Sequence, residues 1–231
     1  MRWLWQHFKQ ILQYLLIGFI GLQLWFFAHI LFWISYNPSS TAFMQERLER
    51  LQIKNPTLKL KHQWVPYSKM SVSLKRAVLA GEDTTFVKHH GFDWQGIERA
   101  WERNKRSGTI VAGGSTISQQ LAKNLFFSGQ RTWWRKGQEA LVTVMIEAVM
   151  SKRRIFEIYL NMIEWGDGVF GAEAGARYHF GVSALALTPE QAARLASMVP
   201  SPRRYRPGAE SHYLNERTAL INARAVMVPV P

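Results

Sequence analysis

"GGSTISQQLAKNLFF", residues 113–127, reads as the start of a helix with something on both sides of it. Thr116 followed three residues later by Gln119 is the capping-box pattern, in which each side chain satisfies the other residue's backbone N–H. The two glycines before it let the backbone come close to another group. Ile117, Leu121, Ala122 and Leu125 recur at helical spacing and make one apolar side; Gln119, Gln120, Lys123 and Asn124 make the other. At about 100° per residue these four polar groups cover one arc, close to a helix N-terminus. Two readings fit that arc. It is either a solvated face, or a set of amide donors and a cation for sugar hydroxyls and phosphate oxygens.

Outward from this helix the same period persists. From Ser71 onward apolar residues recur mostly at helical spacing and alternating strand patterns are scarce, which predicts a mainly α domain. Ser71 caps a helix carrying Leu74, Ala77 and Val78 and ending about Gly81, with Glu82 just beyond. A carboxylate at a helix C-terminus meets the negative end of the macrodipole and holds a proton more tightly, a condition useful to a general base; that feature alone favours a solvated acid at a fraying end. In "SGQRTWWRKGQEA" (128–140), Arg131, Arg135 and Lys136 flank two tryptophans, and Glu139 follows Arg135 by one turn. Such a cluster suits a diphosphate, or a basic aromatic loop lying on anionic lipid heads. "ALVTVMIEAVM" (140–150) is apolar almost all round and predicts a central buried helix, with Glu147 as a paired core acid. Thr188, Pro189 and Gln191 announce what reads as the final helix.

Ahead of the domain, Ile11 to Ile34 contains no Asp, Glu, Lys or Arg, a length that crosses a hydrocarbon core of about 30 Å. With Arg2 and Lys9 before it and no charge in the flank after it, the positive-inside bias keeps the N-terminus cytoplasmic and exports the rest. The expected organisation is a cytoplasmic tail (1–10), an uncleaved transmembrane anchor (11–34), a juxtamembrane connector and membrane-associated lobe (35–70) and the main domain (71–231). The 231 residues hold no cysteine, so disulfides and thiolate metal sites are excluded. The net charge of +13 calls for an acidic partner: anionic lipid or a phosphorylated lipid-linked substrate, since outward orientation argues against nucleic acid. His89 and His90 are adjacent, and neighbours in sequence rarely ligate one ion together, so an imidazole metal site is disfavoured.

Four patterns occur in order: "EDTTFVKHHGFD" (ED-x-x-F-x-x-H-x-G-x-D), "GGSTISQQLAKN" (G-x-S-T-x-x-Q-Q-x-x-K-N), "RKGQE" (R-K-x-x-E) and "KRRIFEIYLN" (K-x-x-I-x-E-x-Y-L-N). Together, from about Trp64 to Pro207, they resemble the successive motifs of the peptidoglycan glycosyltransferases, glycosyltransferase family 51. "YLNMIEWGDGVFGAEAGARYHFG" resembles the monofunctional branch, and the S-x-x-K, S-D-N and K-T-G patterns of penicillin-binding transpeptidases do not occur, so no cross-linking is expected. Departures are small: Val182 stands where a basic residue is common, and His179 looks inserted.

The resemblance implies a lysozyme-like, mostly helical fold that polymerises lipid II, adding a lipid-diphosphate-linked glycan chain to its 4-hydroxyl with inversion. It assigns Glu82 as the base and Glu139 as a second essential acid. Lys123, Arg131, Arg135 and Lys136 correspond to cations for the diphosphate, and Ser115, Thr116, Gln119, Gln120 and Asn124 to substrate contacts. Asp83, Phe86, His89, Gly91 and Asp93 correspond to scaffold around Glu82. A Mg2+ or Mn2+ ion held near Glu139 by oxygen atoms and the diphosphate, and a transpeptidase or division-complex protein as partner, complete the expectation. The competing readings are a glycan-cleaving, lysozyme-like enzyme and a non-catalytic scaffold of a cell-wall synthesis complex.

Overall fold

The computed structural model describes residues 2–109, 113–127, 129 and 132–231. Helix α1 runs from Arg2 to Ser35, so it continues unbroken through most of the expected tail. Its window of mean hydropathy 2.1 and its length, about 50 Å at the usual helical rise, are enough to cross a membrane. Residues Met1–Asn37 form one compact unit and Pro38–Pro231 another.

In the second unit, side-chain caps set most of the helix starts. Thr41 accepts from Met44 N–H at the start of α2 (Ala42–Gln52). A two-residue strand, β1 (Lys61–His62), leads to α3 (Val72–Glu82), capped as expected by Ser71. Asp93 accepts from Gly96 N–H to start α4 (Trp94–Ser107), and Thr116 and Gln119 form both halves of the capping box of α5 (Ile117–Phe126). Thr132 and Ser151 cap α6 (Trp133–Val149) and α7 (Lys152–Met162). Strands β2 (Glu164–Gly166) and β3 (Val169–Phe170) form a hairpin, followed by α8 (Ala172–Phe180), α9 (Pro189–Met198) and α10 (His212–Ala225). The small sheet has the order β1-β3-β2: Lys61 pairs in parallel with Val169, and Glu164 pairs antiparallel with Phe170.

The core joins two helical groups. α3 packs on α9 and α10, and α5 packs on α6 and α7. Leu74, Val78 and Leu79 of the first group and Ile117, Leu121, Ile146, Ile155, Phe156 and Tyr159 of the second are closed to solvent. This arrangement brings the C-terminal end of α3 against the side of α5.

Two expectations are corrected. The apolar segment 140–150 is buried on one side only: Val142 and Ile146 face the core, whereas Leu141 and Val144 are 41 % and 55 % exposed. Apolar composition all round a helix therefore did not mean burial all round. The helix opening at Thr188 and Pro189 has the expected capping box, but α10 follows it. The buried residues of α10 are only Leu214, Ile221 and Ala225, a stripe too narrow to stand out by periodicity.

Candidate active site

Glu82 is the last residue of α3, and its side chain is about 10 % exposed. Its Oε2 accepts from Nε2 of Gln120 at 2.9 Å, and the Oε1 of Gln120 accepts from the hydroxyl of Tyr159 at 3.0 Å. The guanidinium of Arg217 lies 3.6 Å from Oε1 of Glu82. Burial pushes the Glu82 carboxyl above its usual range, opposed by the Gln120 hydrogen bond and by Arg217 and Lys123, with Asp83 adding to the upward push. The direction matches the expectation, but desolvation is the main cause rather than the helix end. The Tyr159 hydroxyl is raised well above its ordinary value by burial and by the negative Glu82 and Asp83, so it stays protonated and donates.

The rest of "EDTTFVKHHGFD" holds this end of α3 in place. Both carboxylate oxygens of Asp83 lie 3.1 Å from Nε2 of His89, and Oδ2 also accepts the Ile117 N–H at 3.0 Å, tying α3 to the start of α5. Phe86 is buried in the core. Gly91 has φ +88°, and a Cβ there would come within 2.8 Å of the Thr143 side chain, so the position admits only glycine without strain; its carbonyl accepts from Thr116 Oγ1 at 2.6 Å. Asp93 caps α4 and accepts from Thr85 at 2.9 Å. Burial acts upward on the Asp93 carboxyl, but the Gly96 N–H, Thr85 and Arg99 outweigh it and hold it below its usual range. His90 points to solvent while His89 turns inward, so the histidine pair does not converge.

Two clefts open beside this scaffold. One, of about 520 Å³, is lined by Glu82, Asp83 and Asp93, by Gly114, Ser115 and Thr116, and by Arg99, Arg103, Arg106 and Arg224. The other, of about 360 Å³, is lined by Gln120, Lys123, Asn124 and Arg135, with Glu164 and Arg203. The approach to α5 lines the first and its polar arc lines the second, and Gln120 joins the two by donating to Glu82 while lining the second. That arc is thus no solvated face. Gln119 is buried and engaged in the capping box, accepting the Thr116 N–H at 3.0 Å, so it does not reach either cleft.

Glu139 is 3 % exposed and lines neither cleft. Its two oxygens bind Arg135 and Lys136, the latter at 3.2 Å. Arg135 thereby reaches the second cleft from a fixed base, whereas Lys136 does not line it. Arg131 lies outside the described residues. Glu147 is a paired core acid, accepting from Ser118 and from Lys152 at 2.7 Å. Sequence reading missed Tyr159, Arg217, Arg203 and Glu164. The carboxyl of Glu164 is raised by burial against the Gly168 N–H and Arg47, which bonds it at 3.1 Å. Tyr159 stands inside a quoted motif; Arg217 had no local signal.

The family model described as "Transglycosylase" matches residues 49–226, a span that holds every residue of both clefts except Phe43. The chain belongs to the transglycosylase family. Its relatives include three proteins named "Biosynthetic peptidoglycan transglycosylase". That of Laribacter hongkongensis is 56 % identical over 94 % of this chain and 95 % of its own length. That of Aromatoleum aromaticum is 59 % identical over 85 % of each. That of Nitrosospira multiformis is 52 % identical over 100 % of this chain and 98 % of its own. The mainly helical, lysozyme-like fold class expected from the sequence is that of this transglycosylase, with the sheet reduced to three short strands.

Proposed function

We propose that this transglycosylase polymerises peptidoglycan glycan strands from lipid II, and the observation that carries the reading is the placement of Glu82 against Gln120, whose side of α5 also carries Lys123 and lines the cleft that Arg135 enters. The acceptor lipid II enters the first cleft, and Glu82 takes the proton of its 4-hydroxyl. The freed oxygen attacks the anomeric carbon of the lipid-linked chain held in the second cleft, with inversion. The electron pair of the breaking C–O bond leaves on the diphosphate, where Lys123 and Arg135, with Arg131 of the same motif region, stabilise the growing charge. Glu139 keeps Arg135 in position rather than touching substrate. Ser115 and Thr116 border the acceptor; Gln120 and Asn124 border the donor.

A side-chain cage for Mg2+ or Mn2+ does not fit Glu139, whose oxygens are both engaged by cations, and the described residues hold no group of three or more His, Asp or Glu suited to a metal. Any divalent requirement we assign to the diphosphate oxygens of the substrate. We assign α1 as a single-pass anchor in the bacterial plasma membrane, N-terminus cytoplasmic, with the catalytic unit outside. The exposed Trp133, Trp134, Leu141 and Val144 along α6 suit a protein that handles lipid-borne substrates. We assign no transpeptidase activity, and a transpeptidase or division-complex protein as working partner.

The test is full-length protein in detergent with fluorescent lipid II, its products resolved on a gel with and without muramidase. The expected result is a muramidase-sensitive ladder that Glu82→Gln abolishes. Folded protein that binds lipid II but makes no ladder would replace this reading with that of a scaffold.

A further inference from the structure

The first cleft has a feature that deprotonation of a hydroxyl does not need. Arg99, Arg103 and Arg106 occupy one stripe of α4 at i, i+4 and i+7, and Arg224 of α10 joins them in lining the cleft. Thr85 ties the Asp93 end of α4 to the Glu82 loop, so the stripe leads away from the base, with Arg106 about 10 Å beyond Arg99 along the helix. Arg99 has Asp93 at 3.4 Å and Arg106 has Glu102 at 3.4 Å. Arg103 donates only to the Arg99 carbonyl, at 3.3 Å, and neither it nor Arg224 has a carboxylate partner among the described residues. Of the carboxylates that line the cleft, Asp93 and Glu102 are engaged by Arg99 and Arg106, which leaves the guanidiniums of Arg103 and Arg224 with charge that an anion in the cleft would meet.

We infer that Arg103, Arg106 and Arg224 form an anion subsite for the acceptor, gripping the charged groups on the sugar next to the one that reacts. This rests on the polymerase reading above. Lipid II carries two such groups on that second sugar, the carboxylates of its peptide and its diphosphate, and a guanidinium forks onto either. The subsite would hold the reacting hydroxyl against Glu82 while the anionic part stays distant from that carboxylate.

The experiment uses full-length protein in detergent with a saturating, preformed lipid-linked glycan donor, and varies three acceptors: lipid II, lipid II with its peptide carboxylates amidated, and the peptide-free lipid-linked disaccharide. The double variant Arg103→Gln/Arg224→Gln should raise the half-saturating lipid II concentration roughly tenfold, and Arg103→Lys should recover part of the loss. If the deficit disappears with the amidated and peptide-free acceptors, the anion is the peptide; if it persists, the anion is the diphosphate. Unchanged half-saturation for lipid II overturns the subsite. Should the double variant unfold, the single variant Arg106→Gln and the rise of wild-type half-saturation with added salt give the same readings. A wild-type protein that elongates no donor at all would sink the polymerase reading first, an outcome distinct from a wild-type ladder with unaffected variants.

Discussion

Arg217, on the last helix, reaches the last residue of α3: its guanidinium stands 3.6 Å from Oε1 of Glu82 and donates to the Gly81 carbonyl at 3.4 Å. Burial favours the protonated acid, and this cation favours the ionised one. A general base works only when ionised, so in the proposed role Glu82 should lose its activity as pH falls through its pKa. Arg217→Gln should therefore move the acidic limb of the pH profile for polymerisation to higher pH. An unmoved limb would mean that Arg217 acts on the fold alone.

Glu82→Gln should lower polymerisation by about three orders of magnitude, within the range for removal of a general base. It should not cost stability. The folded-state pKa of Glu82 lies above the unfolded value, so the favourable contribution of this group is present below the unfolded pKa and is lost as pH rises through the folded one. At neutral pH the buried ionised acid opposes folding, and the neutral amide should leave the melting temperature equal or higher. Thermal unfolding of the two proteins in the same detergent decides this; a marked drop would show Glu82 to be a structural acid.

Arg135→Ala removes a cation from the second cleft and one partner from a carboxylate that is 4 % exposed at its side chain. It should weaken capture of the lipid diphosphate and cost about 2 kcal/mol of stability. Arg135→Lys should restore most of the stability but less of the affinity, because an ammonium cannot fork onto two oxygens. Lipid II affinity equal to wild type in both variants would place the diphosphate elsewhere.

Gly91→Ala should destabilise the unit by about 2 kcal/mol, since the left-handed backbone and the Thr143 side chain both oppose a Cβ. Pairing it with Thr143→Ala should recover only the steric part. Denaturant unfolding measures both, and equal stability of Gly91→Ala and wild type would contradict the geometry.

Local chemistry was legible in the sequence and pairing at a distance was not. Ser71, Thr116 with Gln119, and Thr188 with Gln191 act as caps because a cap is written within four residues. Glu82 and the residues around it were reached through the motif resemblance, and the contacts of Asp83, His89, Gly91 and Asp93 are close to it because they lie within one short loop. Arg217 and Tyr159 reach Glu82 only through the packing of α10 and α7 around α3 and α5, and no spacing rule encodes that. Gln119 shows the converse. Its polar side chain suggested a ligand contact, and its carbonyl oxygen is taken instead by the helix start it completes.

The hydrogen bonds of Gln120 have a direction. Tyr159, kept protonated by its surroundings, can only donate to the Gln120 oxygen, so the amide nitrogen must turn toward Glu82. Rotating that amide by half a turn would set oxygen against carboxylate and leave the tyrosine hydrogen stranded. A phenol buried beside Phe156 thus acts as a latch, fixing from inside the protein the orientation in which the Gln120 amide meets the carboxylate.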